Sequence, residues 1–333
     1  MALSFRILGS GEGDRALFVQ ADSGKEVTRL LFDAGEGCPG QLQEFEVLSL
    51  DHLFFSTLHM EQLCGFPYIL RRRTERGSTP NVLWVPPGGA AIMANHFGGY
   101  FWSHRSKTRR DWEIRQINED WVDHSRLSPT DRFSAYHDLS TEPAGEALVT
   151  MPHCTVRAIL LTHLGPCVAY RVDEASRQVI DSSLLKEHGL TGGPWLQQVK
   201  DLSVESGAVT LGEQDRDIGE LRALLMREVP GKSVAWLSGA VLDKPSYKGL
   251  STFLHGCDTV IAMAPYVNAD LEEARKNGHC TARQMARLAH MAQAGELILM
   301  PPNHSTEAMR QPLLEEATAV FEATRFPDIT PLA

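Results

Sequence analysis

Short apolar runs closed by tight turns recur along the chain. Leu3–Leu8 runs into Gly9-Ser10-Gly11-Glu12-Gly13, Arg29–Asp33 into Ala34-Gly35-Glu36-Gly37, and His52–Ser56 into the polar segment Thr57–Gln62. Asn81–Val85, followed by Pro86-Pro87-Gly88-Gly89, repeats the plan. Such runs, bounded by glycine and proline, predict buried strands. A helical stretch over Cys38–Phe45 alternates with them, which predicts a layered α/β fold. The second half has the same grammar: Val156–Leu161, Ser233–Leu237 and Thr259–Met263 are strands, and Leu297–Met300 is the last core strand. Thr281 with Gln284 three residues on reads as a capping box opening a helix that stops at Gly295. No period of a repeat array recurs.

Composition narrows the class. The 333 residues are 43% hydrophobic and 22% charged, enough to bury a full core. With 32 basic and 42 acidic residues the net charge is −10, which argues against broad non-specific nucleic-acid binding. No long apolar run suits a membrane span and the first residues lack a signal-peptide pattern, so the expectation is a cytoplasmic protein. Cysteines 38, 64, 154, 167, 257 and 280 form no CxxC pair and read as buried small hydrophobes rather than a thiolate metal site.

Polar residues cluster just after the strand ends, where α/β folds place their sites. Leu31-Phe32-Asp33-Ala34-Gly35-Glu36-Gly37 and then Phe55-Ser56-Thr57-Leu58-His59-Met60-Glu61-Gln62-Leu63-Cys64-Gly65 resemble the ribonuclease Z branch of the metallo-β-lactamase superfamily. Further segments match in the family's order: Pro86-Pro87-Gly88, His163-Leu164-Gly165-Pro166 with Tyr170-Arg171, Gly189 to Pro194, Ser238-Gly239 and Gly278-His279-Cys280-Thr281. The resemblance runs from about residue 5 to 306. It implies a four-layer αββα metallo-β-lactamase sandwich over residues 1–333, with residues 172–230 as an inserted arm resembling the family's tRNA-binding exosite. It also implies metal-assisted phosphodiester hydrolysis that removes the 3′ trailer of precursor tRNA, and a homodimer.

The family's metal motif reads Ser-His-x-His-x-Asp-His, and this chain departs from it. Thr57 stands at the first His, His59 keeps the second, Glu61 replaces the Asp, and Gln62 replaces the adjacent His. His163 keeps a later ligand. Ala240 replaces a bridging Asp, with Asp243 the nearest carboxylate. The final ligand position falls at Pro301 or Pro302, with His304 the nearest imidazole. By resemblance, then, His59, His163 and His304 are the candidate metal ligands, and Glu61 and His279 the candidate catalytic residues. The zinc these imply is one weakly held ion, or none, because a dinuclear site needs its bridging carboxylate. Without the family context, a lone histidine at a strand end reads as a hydrogen-bonded structural residue.

The substrate side departs as well. Residues 172–230 hold eleven acids against six bases, a balance of −5 that weakens an RNA clamp. Two basic runs, Arg71–Arg73 with Arg76 and residues 104–110 between Trp102 and Trp112, read either as RNA tracks or as solvated faces. Two alternatives stand beside the hydrolase: a catalytically inactive binding protein, and a mononuclear-metal hydrolase of a non-RNA substrate.

Overall fold

The computed structural model describes residues 2–9, 13–76, 80–102, 110–201, 204, 206–211, 214–303 and 305–328. The chain divides into two compact units, Met1–Asp173 with Lys232–Ala333, and Glu174–Gly231.

In the larger unit the first sheet runs in chain order: β1 (Ala2–Gly9), β2 (Arg15–Asp22), β3 (Val27–Phe32), β4 (His52–Phe54), β5 (Asn81–Val85), β6 (Trp112–Ile117), β7 (Trp121–Leu127) and β8 (Tyr136–Pro143). Hairpins open and close it, while β3 to β6 are parallel. The second sheet begins with β9 (Val149–Thr150), β10 (Cys154–His163) and β11 (Gly165–Glu174). The smaller unit supplies β12 (Arg177–Ile180), β13 (Ala208–Leu211), β14 (Gln214–Asp217) and β15 (Met226–Val229), paired as two separate hairpin-like ladders. The second sheet then resumes with β16 (Ser233–Leu237), β17 (Thr259–Met263), β18 (Glu296–Met300) and β19 (Thr324–Arg325). So β18 is not the last strand: a two-residue strand, too short to signal itself by alternation, pairs beyond it.

Side-chain alternation builds four layers in the larger unit. On β16, Val234 and Trp236 face the first sheet while Ala235 and Leu237 face the helices; on β18, Ile298 and Met300 alternate with Leu297 and Leu299 in the same way. Leu17, Phe32, Phe54 and Trp84 complete the seam between the sheets. Phe66, Ile69, Met93 and Phe97 cover the outer face of the first sheet, and Leu250, Leu254, Met285 and Leu288 that of the second. The result is the αββα sandwich.

Several local expectations change. The stretch Cys38–Phe45 is not one helix: a 3-10 turn at Cys38–Gln41 gives way to a helix at Glu44–Leu48, because Gln43 and Glu46 form a capping box that restarts the chain. The Thr281 capping box opens the helix Ala282–Met291, four residues shorter than the Gly295 stop, since Gln293 turns left-handed with φ of 54°. Thr281→Ala should cost about 1 kcal/mol, read as a lower urea midpoint with unchanged slope. Arg73 belongs to no RNA track: its buried guanidinium donates to Asn81 Oδ1 and to the carbonyls of Val47, Leu48 and Pro80. Trp112 is likewise core, donating to Thr74 Oγ1. The second basic run lies mostly outside the described residues.

In the smaller unit Leu185, Val199, Ile218, Leu221 and Leu225 bury one another. Leu184, Leu190, Trp195 and Leu196 pack against the same cluster, so these apolar residues serve that unit's own core. No helix among the described residues is long and apolar enough to cross a membrane.

Candidate functional site

The site is built where the strand ends of both sheets are tied together. Asp33, just past β3, holds φ of 60°, a left-handed value that aspartate tolerates better than most residues. Its buried carboxylate accepts from Ser56 N at 2.7 Å, Ser56 Oγ at 2.6 Å and Trp236 Nε1 at 2.7 Å. Ser238 Oγ donates in turn to Ser56 Oγ at 2.5 Å, and Tyr170 Oη to Phe55 O at 2.7 Å. One carboxylate thus clamps the end of β4 to β16, across the sandwich. Burial pushes Asp33 up to about 6 against the pull of these hydrogen bonds.

From that clamp the chain presents Thr57 to Gln62. Here it turns into a short helix, Met60–Leu63, with His59 at its N-cap. His59 Nε2 lies 3.1 Å from Leu164 O, so Nε2 carries the proton and Nδ1 keeps a lone pair. His163 ends β10, and its Nδ1 donates to Gly278 O at 2.6 Å, leaving a lone pair on Nε2. Burial lowers the pKa of His163. The rings of His59 and His163 stand 5.3 Å apart, and that of His279 is 4.9 Å from His163. This packing needs glycine on two sides: a Cβ at Gly239 would sit 3.0 to 3.3 Å from the His163 ring, and one at Gly278 3.0 Å from its Nδ1. Gly239→Ala should therefore tilt His163, visible as a changed imidazole shift in NMR with the sheet amides unmoved.

His279 lies 5.9 Å from the ring of Tyr266. Among the described residues its buried Nδ1 has no hydrogen-bond partner, and burial brings its pKa down to about 4, so the ring is neutral. Tyr266 Oη accepts from Asn277 Nδ2 at 2.8 Å. Glu61 is exposed at the rim. These groups share a cleft of about 320 Å³ whose walls include Trp236, Met263, Pro265 and Met300.

The replaced positions have found other uses. Thr57 Oγ1 donates to Gln62 Oε1 at 3.2 Å, so the two neutral side chains satisfy each other. Ala240 is buried in the apolar layer with Leu237, Leu242 and Leu250. Asp243 is not a substitute ligand: it is the exposed N-cap of the helix Lys244–Phe253, accepting from Ser246 N and Oγ, and those bonds lower its pKa. His304 lies outside the described residues. Among the described residues no three His, Cys, Asp or Glu converge as a metal-holding group. The donors present do not fit a zinc pair.

Asp14 and Asn303 escaped the reading of the sequence. Asn303 Nδ2 donates to Asp14 Oδ1 at 3.0 Å, which joins the turn before β2 to the segment after β18 at the cleft. Cys64, the one exposed cysteine, donates its thiol to Asp14 Oδ2, and the other five cysteines are buried. A polar residue in a glycine-rich turn carries no periodicity, so only the fold could locate Asp14.

No family model matches the chain. It is 38% identical over 325 residues to the ribonuclease Z of Deinococcus radiodurans, a match covering 97% of each chain. It is 29% identical over 306 residues to the ribonuclease BN of Citrobacter koseri, covering 88% of this chain and 85% of the other. Among solved structures, a metallo-β-lactamase fold protein of Bacillus subtilis aligns with a TM-score of 0.55 at 14% identity, over 99% and 97% of the two chains. The short form of human tRNase Z aligns with a TM-score of 0.53 at 15% identity, over 100% and 99%. These two structures speak to the fold.

Proposed function

Since this chain belongs to the ribonuclease Z branch of the metallo-β-lactamase superfamily, we propose that it is a ribonuclease Z-like hydrolase of RNA phosphodiesters, with the 3′ trailer junction of precursor tRNA as substrate class. The observation that carries this is the gathering of His59, His163 and His279 in one cleft at the strand ends. The near full-length identity to a ribonuclease Z supports it.

The chain's own residues divide the work. His163, fixed in tautomer by Gly278 O, and His59, fixed by Leu164 O, offer lone pairs into the cleft. A divalent ion, when bound, supplies Lewis-acid polarisation of a phosphate oxygen, and His59 and His163 are the residues that would hold it. Glu61, exposed at the rim of the cleft, would orient water. His279 stands beside His163 as a neutral imidazole and exchanges a proton with the reacting oxygen. The apolar walls exclude bulk water, which strengthens each polar contact.

The test is incubation of a precursor tRNA bearing a 3′ trailer with the purified protein, zinc or manganese being supplied, beside a DNA of the same sequence. The expected product ends at the trailer junction, from RNA only. Absence of RNA product at micromolar protein would remove the hydrolase reading. Family membership also supports a homodimer and contact of RNA with the arm. Light scattering should then return twice the chain mass of 36.9 kDa, whereas a strictly monomeric mass across micromolar concentrations would discard the dimer.

A further inference from the structure

We propose that this cleft seats a single, weakly held divalent cation, on the imidazoles of His59 and His163, in place of the zinc pair that the family resemblance implies; the inference rests on the ribonuclease Z-like reading of the cleft.

The seat has two arms of similar construction, His59 keeping its lone pair on Nδ1 and His163 on Nε2. In each histidine one ring nitrogen is committed as a donor to a main-chain carbonyl, Leu164 O at 3.1 Å for His59 and Gly278 O at 2.6 Å for His163. A carbonyl that holds the far N–H of an imidazole fixes the tautomer, the ring orientation and the basicity of the remaining lone pair. Both accepting carbonyls lie in segments held close by the fold: Leu164 directly follows His163, and Gly278 takes φ of 72° at a point where a Cβ would come 3.0 Å from His163 Nδ1. The two lone pairs belong to rings 5.3 Å apart. Glu61 and Asp14 line the same cleft and give it negative charge, against the single guanidinium of Arg15.

The other half of a two-ion site is closed by three separate structures. Thr57 and Gln62 are engaged with each other at 3.2 Å, and His59 N also donates to Thr57 Oγ1 at 3.3 Å, so the hydroxyl is already part of the turn. Ala240 contributes a methyl group to an apolar layer in which a carboxylate would be an unpaired buried charge. Asp243, the carboxylate three residues on, caps a helix at the surface. Two cations held about 3.5 Å apart repel strongly without a shared anionic ligand, and none of these residues provides one. Two imidazoles that no third His, Cys, Asp or Glu joins as a metal-holding group among the described residues hold an ion weakly, since structural and catalytic zinc sites use three or four protein ligands.

The experiment is zinc titration of the chelator-treated protein by calorimetry, with cobalt absorption as a second readout and precursor-tRNA cleavage scored on the same samples. One ion per chain is expected, lost on dialysis. His59→Ala and His163→Gln should each weaken it at least about tenfold, the second variant keeping bulk in the packed site. Thr57→Ala, which removes the hydroxyl of the neutral pair, should leave the stoichiometry at one. Two zinc ions per chain that survive dialysis would overturn the inference. So would one ion indifferent to both histidine substitutions, or no binding at millimolar zinc. A protein with two ions that cleaves precursor tRNA keeps the functional reading and sinks this one; a protein with one weak ion that leaves RNA intact does the reverse.

Discussion

Asp33→Ala should cost the folded protein about 3–7 kcal/mol, the largest loss expected from any single substitution in the site. Two buried donors, Ser56 N–H and the Trp236 indole N–H, lose their acceptor, and each stranded donor costs about 1–3 kcal/mol. Alanine at φ of 60° adds roughly 1 kcal/mol more. The damage is not local, because Asp33 ties β4 of one sheet to β16 of the other and both strand ends lead into the cleft. Urea denaturation read by tryptophan fluorescence would report the loss as a fall in midpoint. A change below about 1 kcal/mol would mean that the clamp is dispensable.

The same carboxylate makes stability depend on pH in a direction opposite to that of a surface aspartate. Its folded pKa, about 6, lies above the ordinary value of 3.8, so the folded state binds the proton more tightly than the unfolded state. The stabilisation from this group is complete below about pH 4 and is lost as pH rises through 6, a span worth roughly 3 kcal/mol. Asp33→Asn removes the titration. The stability difference between parent and Asp33→Asn should therefore move against the parent between pH 4 and 7, and a difference that stays flat would place the charge elsewhere.

His279→Ala is expected to reduce precursor-tRNA cleavage about 100-fold under single-turnover conditions, with substrate affinity held. General acid–base groups contribute about 10²–10⁴ in rate, and His279 belongs at the lower end. Among the described residues its Nδ1 has no partner, so none of them fixes its tautomer as a carboxylate would. Stability should not suffer in the variant, since the unpaired buried nitrogen is a cost that the substitution removes. A His279→Ala protein that cleaves like the parent would assign the proton transfer to another group.

What could be read in the sequence follows the physics of each segment. Strands buried on both faces announce themselves as continuous apolar runs, and β5, β16 and β17 fall on the residues so predicted. The Thr281 box is a side-chain signal and reads just as plainly. By contrast β8 is exposed along its whole length and made mostly of polar residues, so no hydrophobic period marks it. The helix at Met60–Leu63 sat inside a segment read as a polar turn, because four residues cannot show a helical period. In the site, His59 and His163 stood out by their place at strand ends and, with His279, by the resemblance. That Thr57 and Gln62 bond to each other, that Asp243 is a cap and that Asn303 reaches Asp14 depend on side-chain geometry across as many as 289 positions of chain. Spacing in sequence carries no such information.

The central claim, that this cleft hydrolyses an RNA phosphodiester with the histidines it retains, meets its most direct test in one single-turnover assay. Precursor tRNA is mixed with excess parent protein or with the His59→Ala/His163→Gln double variant, and the 3′ ends of the products are mapped. The account predicts a product ending at the trailer junction with the parent and at least about a 100-fold slower reaction with the double variant. Equal rates from the two proteins, or no junction product from the parent, would contradict it.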